Sequence, residues 1–190
     1  SGYKIVAKFL GDEIFADRLW GYFENGKPAI DELLKELNCL DKKDECLEIY
    51  REQMPQITLY DGIIDLIRDL KNKGIKIGII TDGRVSGQKK KLQALGLDKL
   101  VDDIIITDEL GGIQFRKPCD IAFRIMQHRW GLPFEQMIYV GDNAEKDFQA
   151  PKQLGMRSLH LINTESLYSR IGFYAEKEIS TIEDLRSILI

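Results

Sequence analysis

The chain has 190 residues, 44% of them hydrophobic, which suits one sizeable domain with or without a small satellite and can supply a core. A net charge of −4 with no long basic stripe gives no electrostatic footprint for nucleic acid. No run approaches the roughly 20 apolar residues of a membrane span, and no signal peptide is visible. Cys39, Cys46 and Cys119 show no metal spacing and cannot all pair, and only His128 and His160 are present. A multi-histidine metal site is therefore excluded, and a soluble cytoplasmic protein with reduced thiols is expected.

Residues 1 to about 55 read as wholly helical. Tyr3, Val6, Phe9 and Leu10 share one face, then Ile14, Phe15, Leu19, Tyr22 and Phe23, then Ile30, Leu33, Leu34 and Leu37. Asn25-Gly26 separates the second helix from the third. Cys39 to Asp44 reads as a charged, solvated turn before a fourth helix through Tyr50. Trp20, Tyr22 and Phe23 are expected to pack, although a helical cap could offer one of them to a substrate.

After Pro55 the pattern changes. Asp61 can cap a helix carrying Ile63, Ile64, Ile67 and Leu70, with Gly74 as its stop. A strand, Ile75 to Ile80, then runs into Thr81-Asp82-Gly83-Arg84 and a helix over roughly Ser86 to Ala94. Strands Ile104 to Thr107, Met137 to Val140 and Met156 to Leu161 alternate with helices Asp120 to Trp130 and Lys146 to Leu154. Ser180 and Glu183 form a candidate capping box for a last helix. This alternation predicts a parallel sheet covered on both faces. Ligands of such sheets sit outside the carboxyl ends of the strands.

Three polar clusters fall at such ends. Thr81-Asp82-Gly83-Arg84 precedes a helix N-terminus, where unpaired N–H groups and the helix dipole favour an anion. Arg116-Lys117-Pro118 lies before another helix, with Pro118 suited to its first turn. Val140-Gly141-Asp142-Asn143 has Asp147 five residues beyond Asp142, and two carboxylates after an apolar strand suit a hard cation such as Mg²⁺. Each also has a plain reading: Lys117 as a surface lysine, Asp142 as a helix cap, Asp147 as a solvated helix residue.

In this order the clusters resemble the haloacid dehalogenase-like (HAD) superfamily of phosphohydrolases. Thr81-Asp82-Gly83 is similar to its second motif, Lys117-Pro118 to its third, and Gly141-Asp142-Asn143 with Asp147 to its fourth. Gln88, Lys91, Leu92 and Leu95-Gly96-Leu97 continue the usual helix after the second motif. The resemblance implies a helical cap over residues 1–57 and a Rossmann-like α/β core over 58–190. It also implies Mg²⁺-dependent phosphomonoester hydrolysis through an aspartyl-phosphate, acting on a small phosphorylated metabolite.

Under that resemblance Thr81 would hydrogen-bond a phosphoryl oxygen, with Asp82, Gly83 and Arg84 beside it. Lys117 would balance the charge of nucleophile and phosphate. Asp142 would hold Mg²⁺, and Asp147 would ligate it through water or support Asp142. Asp82 stands where the family often has Asn.

The chain departs from the family in one respect. The first motif, Asp-x-Asp-x-Thr, occurs nowhere in the 190 residues. Its first Asp would be the nucleophile and its second the general acid/base, and Asp61, Asp82 or Asp12-Glu13 cannot replace that pair. The motif's strand would lie at the centre of the sheet, between the strands ending at Thr81 and Val140. The motif is expected upstream of Ser1, and the chain without it to be inactive. An unfilled centre exposes strand edges and would favour strand exchange or a homodimer. Two alternatives stay open: a non-catalytic phosphate-binding or regulatory domain, and a dehalogenase, which needs no Mg²⁺.

Overall fold

The computed structural model describes residues 2–162, 172 and 174–190. The chain divides into two compact units, Ser1–Ile57 and Thr58–Ile190.

The first unit is helical. Helices α1 (Gly2–Leu10), α2 (Phe15–Glu24), α3 (Ala29–Glu36) and α4 (Lys43–Glu52) pack round Val6, Leu19, Ile30, Leu33, Leu34 and Cys46. Apolar residues at helical spacing bring these side chains to one interior. The expected faces need correction at their margins. Phe9, Ile14, Trp20 and Phe23 are exposed rather than packed in this interior. The charged stretch after Cys39 is not a plain turn: Leu40–Lys42 forms a 3₁₀ turn that leads directly into α4.

The second unit is α/β. Its strands are β1 (Gly78–Thr81), β2 (Asp103–Ile106), β3 (Ile138–Gly141), β4 (Arg157–Leu161) and β5 (Lys177–Ile179). Its helices are α5 (Ile63–Asn72), α6 (Val85–Ala94), α7 (Ile121–Trp130), α8 (Gln149–Leu154) and α9 (Ile182–Leu189). All pairing is parallel, but it forms two sheets, β1-β2 and β3-β4-β5, and not one.

The two sheets nevertheless share their apolar layers. On one face Leu66 and Leu70 of α5 and Leu185 of α9 meet Ile77, Ile138, Val140, Leu159 and Ile179. On the other, Phe123 and Met126 of α7 meet Ile80, Ile105 and Tyr139. Side chains of successive strand residues point to opposite faces, so Tyr139 faces α7 while Ile138 and Val140 face α5. Yet β1 and β3 are half-buried throughout, whereas Ser158, Leu159 and His160 of β4 are buried. The strands expected to flank the sheet centre are thus more open than their neighbour, as two strands with an unpaired edge should be.

Several local expectations change. Gly62, in the left-handed region at φ 82°, and not Asp61, precedes α5. The last helix is capped one residue later than expected, by Thr181 and Asp184, whose side chains satisfy each other's backbone N–H groups. Pro118 follows a cis peptide bond and lies before α7, which begins at Ile121. The helix expected from Lys146 begins only at Gln149. Among the described residues no helix is long and apolar enough to cross a membrane.

Candidate active site at the carboxyl ends of β1 and β3

Strand β1 ends at Thr81, and the chain turns through Asp82 and Gly83 into α6, which Arg84 precedes. Gly83 has φ 125°, and a Cβ there would lie 2.9 Å from Gln88 Nε2, so the turn requires glycine. The Thr81 hydroxyl donates to Gln88 Oε1 at 2.9 Å. Arg84 is exposed and makes no ion pair among the described residues.

Asp82 is a junction between distant segments. Its Oδ1 accepts from the Thr107 hydroxyl at 3.0 Å and from the Lys117 amide at 3.1 Å. Its Oδ2 accepts from Lys146 Nζ at 2.9 Å. Burial pushes this carboxyl up, but the Lys146 hydrogen bond and the Lys117 charge and amide outweigh it. The result lies below the ordinary carboxylate value. Nearby, Arg116 grips Asp108 through two bonds of 2.6 and 2.7 Å. That pair, with help from the Gly83 amide, holds the Asp108 carboxyl below its usual range.

Lys117 is buried and donates to the Tyr139 hydroxyl and to Asp147 Oδ1, both at 2.8 Å. Burial alone would lower its pKa, yet Tyr139 and Asp147 raise it above the ordinary lysine value, so it stays charged. Burial likewise raises the Tyr139 hydroxyl. Asp147 in turn has both oxygens engaged. Oδ1 takes Lys117 and, at 3.4 Å, Tyr139; Oδ2 takes the amides of Asp142 at 3.1 Å and Asn143 at 3.0 Å. It fixes the turn after β3. Gly141 is needed there because a Cβ would lie 2.6 Å from Asp147 Oδ2.

Asp142 differs from its neighbours. Its amide donates to Asp147 Oδ2, and among the described residues no side chain donates to its own carboxylate, which only its own backbone amide assists. Burial first, and then the Asp147 charge, push its carboxyl above the ordinary value, with Lys117 and Lys146 offsetting part. A half-buried carboxylate raised in this way is of a kind that suits a cation. Among the described residues no group of three or more His, Cys, Asp or Glu is placed to hold a metal. The fit to Mg²⁺ is therefore one direct carboxylate, within the one or two that this ion uses alongside water and substrate oxygens.

The structure thus brings together Thr81, Asp82, Gly83, Lys117, Asp142 and Asp147, with Arg84 exposed at the rim. Sequence reasoning missed Lys146, Tyr139 and Thr107. Tyr139 left a faint signal, being the only polar-tipped residue inside the apolar run Ile138 to Val140. Lys146 and Thr107 left none, because their partner Asp82 is far away in sequence.

Comparison with known proteins identifies the family. Residues 23–161 match the family described as haloacid dehalogenase-like hydrolase. Over 130 residues, 68% of this chain and 56% of the relative, the chain is 32% identical to a glyceraldehyde 3-phosphate phosphatase of Methanocaldococcus jannaschii. It spans about half the length of the curated relatives it matches. A HAD-superfamily hydrolase of Geobacter sulfurreducens superposes with a TM-score of 0.73 at 15% identity, covering 100% of this chain and 87% of that one. A HAD-hydrolase of Bacillus subtilis, solved with magnesium bound, gives 0.66 at 23% identity, covering 98% and 80%. The matched residues run from the helical unit through all three polar clusters, and the chain belongs to the haloacid dehalogenase-like hydrolase family.

Proposed function

We propose that this site binds a phosphoryl group and serves Mg²⁺-dependent hydrolysis of small phosphomonoesters. The observation that carries the reading is the convergence of Asp82, Lys117, Lys146, Asp142 and Asp147 at the carboxyl ends of two parallel strands, where burial and Asp147 push the Asp142 carboxyl up. Phosphatase relatives support the reaction class.

In this reading the Thr81 hydroxyl leaves Gln88 to meet a phosphoryl oxygen, and Arg84 waits at the rim. Lys117 pairs with Asp147 and supplies positive charge behind the phosphoryl group. Asp142 would hold Mg²⁺, while Asp147, its oxygens taken by four donors, supports the loop without ligating. Bound Mg²⁺ would neutralise phosphoryl oxygens as charge builds on them. The helical unit Ser1–Ile57 is assigned as the cap that selects substrate. Three free cysteines fit a cytoplasmic setting.

None of these residues is placed to form a covalent intermediate. Aspartyl-phosphate chemistry needs an Asp-x-Asp-x-Thr element, and the 190 residues contain none. They are therefore proposed to be inactive alone and active when a polypeptide carries that element as well. That absence favours, as the second reading, a phosphate-binding domain without catalysis.

The test is p-nitrophenyl phosphate turnover by residues 1–190, and by the same residues preceded by a strand bearing the motif, with and without EDTA. Activity only in the second, and only with Mg²⁺, is expected. Mg²⁺-dependent turnover by residues 1–190 that Asp142→Asn abolishes would overturn the proposed inactivity. No turnover by either protein would favour the non-catalytic reading.

A further inference from the structure

Two lysines reach this site, and the structure uses them differently. The Lys117 side chain is 8% exposed, and its ammonium is already shared between Tyr139 and Asp147. The Lys146 side chain is 32% exposed, and Asp82 Oδ2 is its one partner among the described residues. An ammonium carries three N–H donors, so Lys146 keeps two in reach of water. It stands in the loop after β3, one residue before Asp147, yet it crosses to the carboxylate that follows β1.

Asp82 is the fixed member of this pair. Its side chain is 6% exposed, and its other oxygen is gripped by the Thr107 hydroxyl and the Lys117 amide. The carboxylate therefore aims the flexible lysine, whose stem would otherwise sample many rotamers. A strongly held carboxylate also makes the pair neutral until a ligand arrives. An incoming oxyanion can take the two spare donors without breaking the bond to Asp82.

We infer that Lys146, aimed by Asp82, is an anion-binding residue that donates to an oxygen of the bound phosphate. The inference rests on the reading of this site as a phosphoryl site, and it assigns the accessible positive charge there to Lys146 rather than Lys117. Asp82 is then a positioning residue: an acid is needed where an amide would leave the ammonium unaimed.

Inorganic phosphate is the probe, titrated into residues 1–190 by calorimetry. Lys146→Met, which keeps the aliphatic stem, should weaken binding at least about tenfold, the loss expected for one hydrogen bond between charged groups. Lys146→Arg should restore it to within about threefold, since it keeps the charge and the donors. Asp82→Asn should weaken binding although Lys146 is intact. In the unmutated protein the Lys146 ammonium resonance should shift on adding phosphate, a readout that needs no variant to fold. Phosphate binding lost in Thr81→Ala but unchanged in Lys146→Met, with a silent ammonium resonance, would overturn this inference and leave the site reading standing. An unmutated protein that binds no phosphate would overturn both.

Discussion

The two units bury different chemistry. The interior of Ser1–Ile57 is Val6, Ala7, Leu19, Ala29, Ile30, Leu33, Leu34 and Cys46; among the described residues no polar or charged residue is buried as a whole there, although single oxygens of Asp31 and Gln53 are. The second unit also has an apolar core, but it buries Thr107, Asn143, Asp147, Ser158 and His160. Burying a polar group costs free energy unless it is hydrogen-bonded, and a lone charge costs far more. Asp147 meets that condition with four donors, and His160 Nε2 lies 3.3 Å from the Asp142 carbonyl oxygen. The helical unit is thus built to pack. The α/β unit spends stability to hold polar groups in one arrangement near its strand ends, which is what a site requires.

The largest expected effect breaks the polar interior. Lys117→Met leaves Asp147 as a buried charge without its cation, and should cost about 3–5 kcal/mol in urea denaturation. Leu33→Ala tests the other interior, where the loss is only transfer and cavity energy. It should cost about 2–5 kcal/mol while leaving phosphate binding in the second unit unchanged. Equal losses of phosphate affinity in both variants would erase the distinction between the units.

Asp142→Asn should do the opposite of most substitutions at a well-packed position. Its carboxyl is raised by burial and by Asp147, so the native state resists its ionisation. Removing the charge should stabilise the protein at pH 7, the direction expected when a functional compromise is relieved.

The pH dependence sharpens this, because Asp142 and Asp82 carry opposite signs. The unfolded carboxyl has a pKa of about 3.9. Asp82 is depressed in the folded state, so its contribution is complete above that value and is lost as pH falls through the lower folded one. Asp142 is raised, so its cost is absent in acid and grows as pH climbs from the unfolded value through the folded one. Asp142→Asn should therefore match the parent near pH 3 and exceed it above the raised value. Asp82→Asn should fall short of the parent at neutral pH and converge with it in acid. Arg84→Ala is the smallest change. It should alter stability by less than about 0.5 kcal/mol, being an exposed side chain without an ion pair among the described residues.

The elements that organise the site were legible because they are local. The run Ile77 to Ile80 closing on Thr81-Asp82-Gly83 announces a strand, a tight turn and a helix start, and Ile138-Tyr139-Val140 does the same before Asp142. Other features depend on what lies far off in sequence. Lys146 reads as one more charge beside Asp147 until folding places it 2.9 Å from Asp82. β5 is only Lys177-Glu178-Ile179, two charged residues and one apolar one, and it forms because β4 offers an edge. The cap of α9 fell at Thr181 rather than Ser180 because both residues, and both Glu183 and Asp184, satisfy the same local pattern. The division of the strands into two sheets falls between β1 and β3, the place where the sequence lacks a strand. It follows from β1 and β3 exchanging no hydrogen bonds with each other.

The most direct measurement of the central claim is a phosphate titration of ¹⁵N-labelled residues 1–190, followed amide by amide. The account predicts shifts confined to Thr81–Arg84, Lys117 and Asp142–Asp147, saturating together, while the amides of α1 to α4 stay still. Shifts centred on the helical unit, or none at Thr81 and Asp142, would contradict the assignment of the site to the carboxyl ends of β1 and β3.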